Sequence, residues 1–170
     1  LGQDQARQAG AYLKERGIRF GQLYSSTQER ASDTLELVSG RTDYTRLKGI
    51  KEWNFGLFEA QPERLQPKFR PGATSFEDLF VPYGGEGVDQ VGERMLVTLT
   101  EVMEQAEAEP VLAVSHGGAM WAFYLKIAAQ ALDPKVRFGN CAICHYHYEP
   151  GHFKLAEVID PLTGSVYECE

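Results

Sequence analysis

The chain is poor in cysteine, in long apolar runs and in positive charge. Three cysteines, an odd number, in 170 residues make no disulfide framework and fit a reducing, cytoplasmic setting. The longest apolar run, Ala119 to Leu125, is ended by Lys126 and is too short to span a bilayer. No secretory signal is visible. Lys and Arg number 17 against 24 Asp and Glu, a formal net charge of -7. That balance argues against nucleic acid or an anionic membrane as the main partner, since both need basic patches. A local basic pocket for a phosphate is compatible with it. Internal repeats, low-complexity tracts and linkers are absent.

Hydrophobic residues make up 43% and charged residues 24%, an ordinary globular balance, and the length suggests one domain over 1–170. Ala6, Ala9 and Leu13 recur at helical spacing, with Gly17 as a stop, so 3–16 reads as a helix. Residues 22–25 read as a strand. Ser26-Thr27-Gln28-Glu29 has the Ser-x-x-Glu spacing of a capping box, which predicts a helix starting there and stopping near Gly40. Tyr44 to Ile50 reads as a strand, and 51–81 as irregular loop with one short helix. Val88, Val91, Met95, Leu99, Val102 and Ala106 trace one face of a long helix that Pro110 ends. Val111 to Ser115 is nearly all apolar, as in a strand buried on both faces. Ala119 to Leu132 reads as a helix. Strands near 142–148 and 152–159 form a hairpin through Pro150-Gly151. This alternation predicts an α/β layered domain with a mostly parallel sheet, the hairpin supplying an antiparallel edge.

In such a sheet, sites form beyond the carboxyl ends of the strands. Arg30 falls in the first turn of a helix, where the dipole disfavours a cation but favours an anion. A bound phosphate would satisfy both the free N–H groups and the guanidinium fork. The alternative is a solvated arginine paired with Asp33 or Thr34. His116 stands at the tip of the buried strand. Gly117 and Gly118 follow it and let the main chain approach a ligand; the alternative is a polar residue bonded to backbone. Glu52, beside Trp53 and Phe55, is a candidate general acid if the aromatics desolvate its carboxyl; the alternative is a loop glutamate at the surface. Cys141-Ala142-Ile143-Cys144-His145 has the spacing of c-type haem attachment, but lies inside a strand. Cys144, His145 and His147 hint at a metal, yet the alternation with Tyr146 and Tyr148 favours cross-strand packing.

Together these segments resemble the histidine phosphatase superfamily, also called the phosphoglycerate mutase-like family. Gly2-Gln3-Asp4-Gln5-Ala6 resembles the end of its Leu-Thr-x-x-Gly-x-x-Gln-Ala motif. Tyr24-Ser25-Ser26 through Arg30-Ala31 resembles its Ser-Ser-x-x-x-Arg-Ala motif. Glu52 to Gly56 with Glu59 is similar to its Glu-x-x-x-Gly-x-x-Glu stretch, where Ala60 stands for the usual final glycine. Gly84-Gly85-Glu86 resembles Gly-Gly-Glu-Ser, with Gly87 for serine, and Val114 to Gly118 resembles the second histidine motif.

The resemblance implies a three-layer α/β/α sandwich and a metal-independent phosphomonoesterase that works through a phosphohistidine. It implies His116 and Glu52 as catalytic residues and Arg30 and Gly117 as substrate-binding residues. No metal and no cofactor are implied. The implied partner is a small phosphorylated substrate, and a homodimer is compatible with it. Phosphoglycerate mutase activity and a non-catalytic phosphate- or phosphoprotein-binding relative are the alternatives. The short segment between Glu52 and Gly84 favours the phosphatase branch. The family's nucleophile lies in an Arg-His-Gly motif at the end of its first strand. None of His116, His145, His147 or His152 stands in that context. The expectation is therefore an N-terminally truncated domain whose first strand would sit mid-sheet, beside the strands leading to Arg30 and His116.

Overall fold

The computed structural model of the protein describes residues 1–107, 110–128 and 133–169. Helix α1 spans Gly2–Glu15, with Ala6, Ala9, Tyr12 and Leu13 buried on one stripe. Strand β1, Gln22–Ser26, leads into α2, Glu29–Ser39, which stops at Gly40 in the left-handed conformation (φ 66°). Strand β2 is Thr45–Leu47, shorter than 44–50 because the chain turns into a 3-10 helix at Lys48–Ile50. The stretch to Tyr83 holds only further 3-10 turns. Helix α3 is Val88–Glu104, β3 Val111–Val114 and α4 Gly117–Ile127. Strands β4, β5 and β6 are Ile143–Glu149, His152–Asp160 and Ser165–Glu168.

Strands β2, β1 and β3 form a parallel sheet in that order. Leu23 pairs with Leu112 and Tyr24 with Ala113, and successive side chains alternate between faces. Leu23 faces the cleft between α1 and α2. Ala113, one step on, packs against the buried Val91, Met95, Ala119 and Ala122 of α3 and α4. Helices thus cover both faces of the sheet, as a three-layer α/β fold requires.

Several details depart from the sequence expectations. The capping box does not form: Ser26 still belongs to β1, and α2 starts after Gln28 without a side-chain cap. Helix α3 ends at Glu104, well short of Pro110, so Ala106 lies beyond it. Helix α4 starts two residues early, at Gly117, and the expected helical residues 129–132 fall outside the described ones. The hairpin does not extend the parallel sheet. It pairs with β6, a strand the sequence did not announce, in a separate antiparallel sheet ordered β4-β5-β6. Nor is β3 buried on both faces, since all four of its residues are half-buried. Strand β1 is flanked on both edges by β2 and β3. Of β1 and β3, only β3 therefore keeps an edge without a described strand, and no further strand fits beside β1.

Candidate active site

All three parallel strands end at the same edge, and the residues just past them converge. Val114 pairs with Ser25, and Leu47 with Ser26, so the next residues along each strand are neighbours. Ser115 ties two of these ends together, its hydroxyl donating to the Ile50 carbonyl at 2.7 Å.

His116 is the N-cap residue of α4 and is buried, with 7% of its surface exposed. Its Nε2 lies 2.8 Å from Ser26 Oγ. The Ser26 hydroxyl oxygen also accepts the Gln28 N–H at 3.1 Å. Burial, and then the charges of Arg30 and Arg94, push the His116 pKa down to about 4. The imidazole is neutral at pH 7.

Glu52 follows β2 through the turn at Ile50. Its Oε1 accepts the Ala119 N–H at 2.9 Å and the Trp53 N–H at 2.8 Å, and its Oε2 is 3.4 Å from the Gly118 nitrogen. The carboxyl is thus seated on the first turn of α4, where free N–H groups gather. This approach needs glycine at 118, since an added Cβ would lie 2.7 Å from Glu52 Oε1. The described contacts of the Glu52 carboxyl are these N–H groups. Trp53 is buried, but its ring meets Phe76 edge-on at 5.7 Å and its indole N–H binds the Glu86 carbonyl. At Gly117 an added Cβ would meet nothing within 4 Å, so that glycine opens the helix without a steric demand.

Arg30 is the second residue of α2 and is exposed. Neither Asp33 nor Thr34 engages its guanidinium; Thr34 donates only to the Arg30 main-chain carbonyl. Its charge nevertheless reaches His116. The structure brings Arg30, Glu52, His116 and Gly117 to one edge of the sheet, from three separate strand ends.

Four further residues escaped the sequence reading. Ser26 binds His116. Gln28 joins two strand ends, its Oε1 accepting the Glu52 N–H at 2.7 Å. Arg94, on α3, uses all five of its donors. Nη1 binds the Gly49 and Lys51 carbonyls, Nη2 the Glu52 carbonyl and Glu86 Oε1, and Nε Glu86 Oε2, all at 2.8–3.0 Å. Glu86, whose segment had matched a family motif without a role, completes that clamp. Burial raises its pKa, but the Arg94 and Asn54 hydrogen bonds outweigh this and hold it below the usual carboxylate range. The one legible signal for Arg94 was a cation set between Val91 and Met95 of the buried stripe.

Comparison with known proteins follows the same lines. The family model described as histidine phosphatase superfamily (branch 1) matches residues 1–161. A metal-independent phosphoserine phosphatase of Arabidopsis thaliana is 27% identical over 135 residues, covering 72% of this chain and 55% of its own. A broad-specificity phosphatase of Saccharomyces cerevisiae is 31% identical over 131 residues, covering 70% and 54%. The chain therefore spans about half the length of these curated relatives. Among solved structures, YhfR of Bacillus stearothermophilus superposes with a TM-score of 0.74 at 22% identity, over 91% of this chain and 80% of that one. That likeness is one of fold.

Proposed function

Because this chain belongs to the histidine phosphatase superfamily, we propose that it carries the phosphate-binding and proton-donating part of a phosphomonoesterase. The observation that supports this best is the convergence of Arg30, His116 and Glu52 from three parallel strand ends onto the first turns of two helices. In this reading the protein needs no metal, since cationic side chains and helix N–H groups meet the phosphoryl charge.

Arg30 holds equatorial oxygens of the phosphoryl group with its guanidinium fork. The Gly117 N–H at the opening of α4 contributes to the same cradle. His116, neutral, donates one hydrogen bond. Glu52 gives a proton to the leaving oxygen and then takes one from the attacking water. Its Oε2, with a single long contact, is the oxygen free for that transfer; Oε1 is committed to two N–H groups.

The 170 residues contain no Arg-His-Gly. The nucleophile in this proposal is a histidine in that motif, on a strand added to the edge of β3 that no described strand occupies, and the phosphoryl group rests on it as phosphohistidine. The substrate is a small phosphorylated molecule, and a cytoplasmic location is part of the reading. Phosphoglycerate mutation is the second reading, which the short 52–84 segment disfavours.

The test uses two polypeptides, the 170-residue chain and the same chain extended by an Arg-His-Gly strand. Only the extended form is expected to hydrolyse p-nitrophenyl phosphate and phosphoserine in the presence of a chelator, and to yield an acid-labile phosphoenzyme. Turnover at enzymatic rates by the shorter chain would overturn the assignment of the nucleophile. Interconversion of phosphoglycerates without net hydrolysis would favour the mutase.

A further inference from the structure

We propose that Ser26 fixes His116 as its Nδ1–H tautomer, so that the ring nitrogen facing a ligand is a donor and the lone pair is withheld from attack. Ser26 is fully buried, and its hydroxyl oxygen already accepts the Gln28 N–H. Its own O–H still needs an acceptor, and the one described group within reach is His116 Nε2 at 2.8 Å. If Nε2 carried the proton instead, it would donate to Ser26, and the serine O–H would be left buried with no partner. A buried donor left unmade is the costly case, whereas the reverse arrangement satisfies every group.

Donation from Ser26 makes Nε2 the bare nitrogen, and a neutral imidazole then carries its proton on Nδ1. The neutrality itself follows from the surroundings, in which burial and two arginines oppose a second proton. Two consequences bear on the chemistry. His116 meets a phosphoryl oxygen as a neutral donor, so the positive charge at the site comes from arginine. The only lone pair of the ring points into the protein, at Ser26, so His116 is unable to serve as the nucleophile in place of an Arg-His-Gly histidine. Ser26 is thus a positioning residue, acting through His116. The inference rests on the proposed phosphoesterase only for the identity of the acceptor that Nδ1–H meets.

The experiment is a long-range 1H–15N correlation spectrum of the 170-residue chain, labelled with 15N-histidine, at pH 7. The His116 signals are assigned by their loss in His116→Gln. The expected pattern is Nδ1 in the N–H range and Nε2 in the bare-imine range. In Ser26→Ala the two nitrogens move toward a common, averaged shift, and Ser26→Thr, which keeps the hydroxyl, restores the separation. A proton on Nε2 in the wild type, or a Ser26→Ala spectrum identical to wild type, overturns the proposal. Should Ser26→Ala fail to fold, the wild-type spectrum decides alone. Inorganic phosphate is then titrated into the wild type. A shift of the Nδ1 proton supports the role of His116 in phosphate binding. An unchanged spectrum with the stated tautomer removes that role and leaves the tautomer assignment standing.

Discussion

In the parallel sheet β2-β1-β3 every strand ends on one side, and the polar residues past those ends meet. In the antiparallel sheet β4-β5-β6 neighbouring strands run opposite ways, and its reactive side chains are divided between the two faces of the sheet instead of meeting past one shared edge. Three of the four histidines belong to the second sheet. Cys144 packs into an apolar cluster with Tyr124, Val136 and Leu155, and burial pushes its thiol up to about 12. His145, next along the strand, turns to the other face and is exposed. A single histidine, His116, stands past the ends of the first sheet, yet there a hydroxyl meets its ring and a carboxyl rests on the helix that it caps. Strand direction decides which chemistry assembles, more than the local density of reactive residue types.

The largest effect that would break this contrast concerns Glu52. In the extended polypeptide, Glu52→Gln is expected to slow alkyl phosphate hydrolysis by roughly 10²–10⁴-fold, the usual value of general acid help. Hydrolysis of p-nitrophenyl phosphate should suffer far less, because p-nitrophenolate leaves without a proton. Steady-state rates on the two esters check this. Equal loss on both, with phosphoenzyme formation rate-limiting, would return Glu52 to the status of a loop glutamate.

Acid sensitivity comes next. The folded-state pKa of His116, about 4, lies below its ordinary value, so the unfolded chain takes up the proton first as pH falls. The contribution is complete above about pH 6.5 and is lost between there and 4, at most about 3 kcal/mol. Glu86, also depressed, adds its own loss in acid. The readout is therefore the difference between wild type and His116→Gln in urea denaturation at pH 7.5, 5.5 and 4.5. A difference that does not change with pH would show that His116 is solvated.

Much of this arrangement was legible in the residues. The stripe Ala6, Ala9, Leu13 and the presence of a strand at 111–114 follow local rules of periodicity, and these held, although β3 is half-buried and the glycines after His116 open α4 instead of preceding it. Two things were not legible. Ser26 and Glu29 fit a capping box, but the serine hydroxyl has a better partner ninety residues on, and tertiary contact outweighed the local motif. Arg94 acts mainly on main-chain carbonyls more than forty residues away, and carbonyls leave no mark in a sequence. Strand β6 is short and mostly exposed, so no apolar pattern announced it. Ala60, where the resemblance leads one to expect glycine, has φ 60°, so the backbone keeps the glycine conformation although the residue differs.

A smaller effect sharpens the picture of the first sheet. Gly118→Ala would drive a Cβ against Glu52 Oε1 and lift the carboxyl from the Ala119 N–H, costing about 1–2 kcal/mol. In a Glu52→Ala background the obstructing oxygen is gone, and the same change should be neutral or favourable, since alanine is the better helix former. Denaturant midpoints of the four proteins in this cycle give the coupling. No coupling would mean that the carboxyl does not rest on α4.

The smallest effect belongs to the second sheet and decides whether its histidines are more than surface. His145 stands opposite Glu157 in the β4–β5 register, with Nδ1 3.1 Å from Oε1, both side chains solvated at 48% and 30% exposure. Its ring lies 4.8 Å from that of His147, close enough to invite a metal. Among the described residues, however, no group of three ligating side chains is gathered to hold one. Cys144, the remaining candidate ligand, faces the other way into the apolar cluster. What is left is an exposed cross-strand pair, and such pairs contribute about 0–1 kcal/mol. His145→Ala should therefore shift the unfolding free energy by about 0.5 kcal/mol or less, and Zn²⁺ should leave the melting temperature of wild type and variant alike. A zinc-dependent rise in Tm that His145→Ala abolishes would mean the ion binds the folded state there. The contrast between the two sheets would then fail at the point where it predicts least.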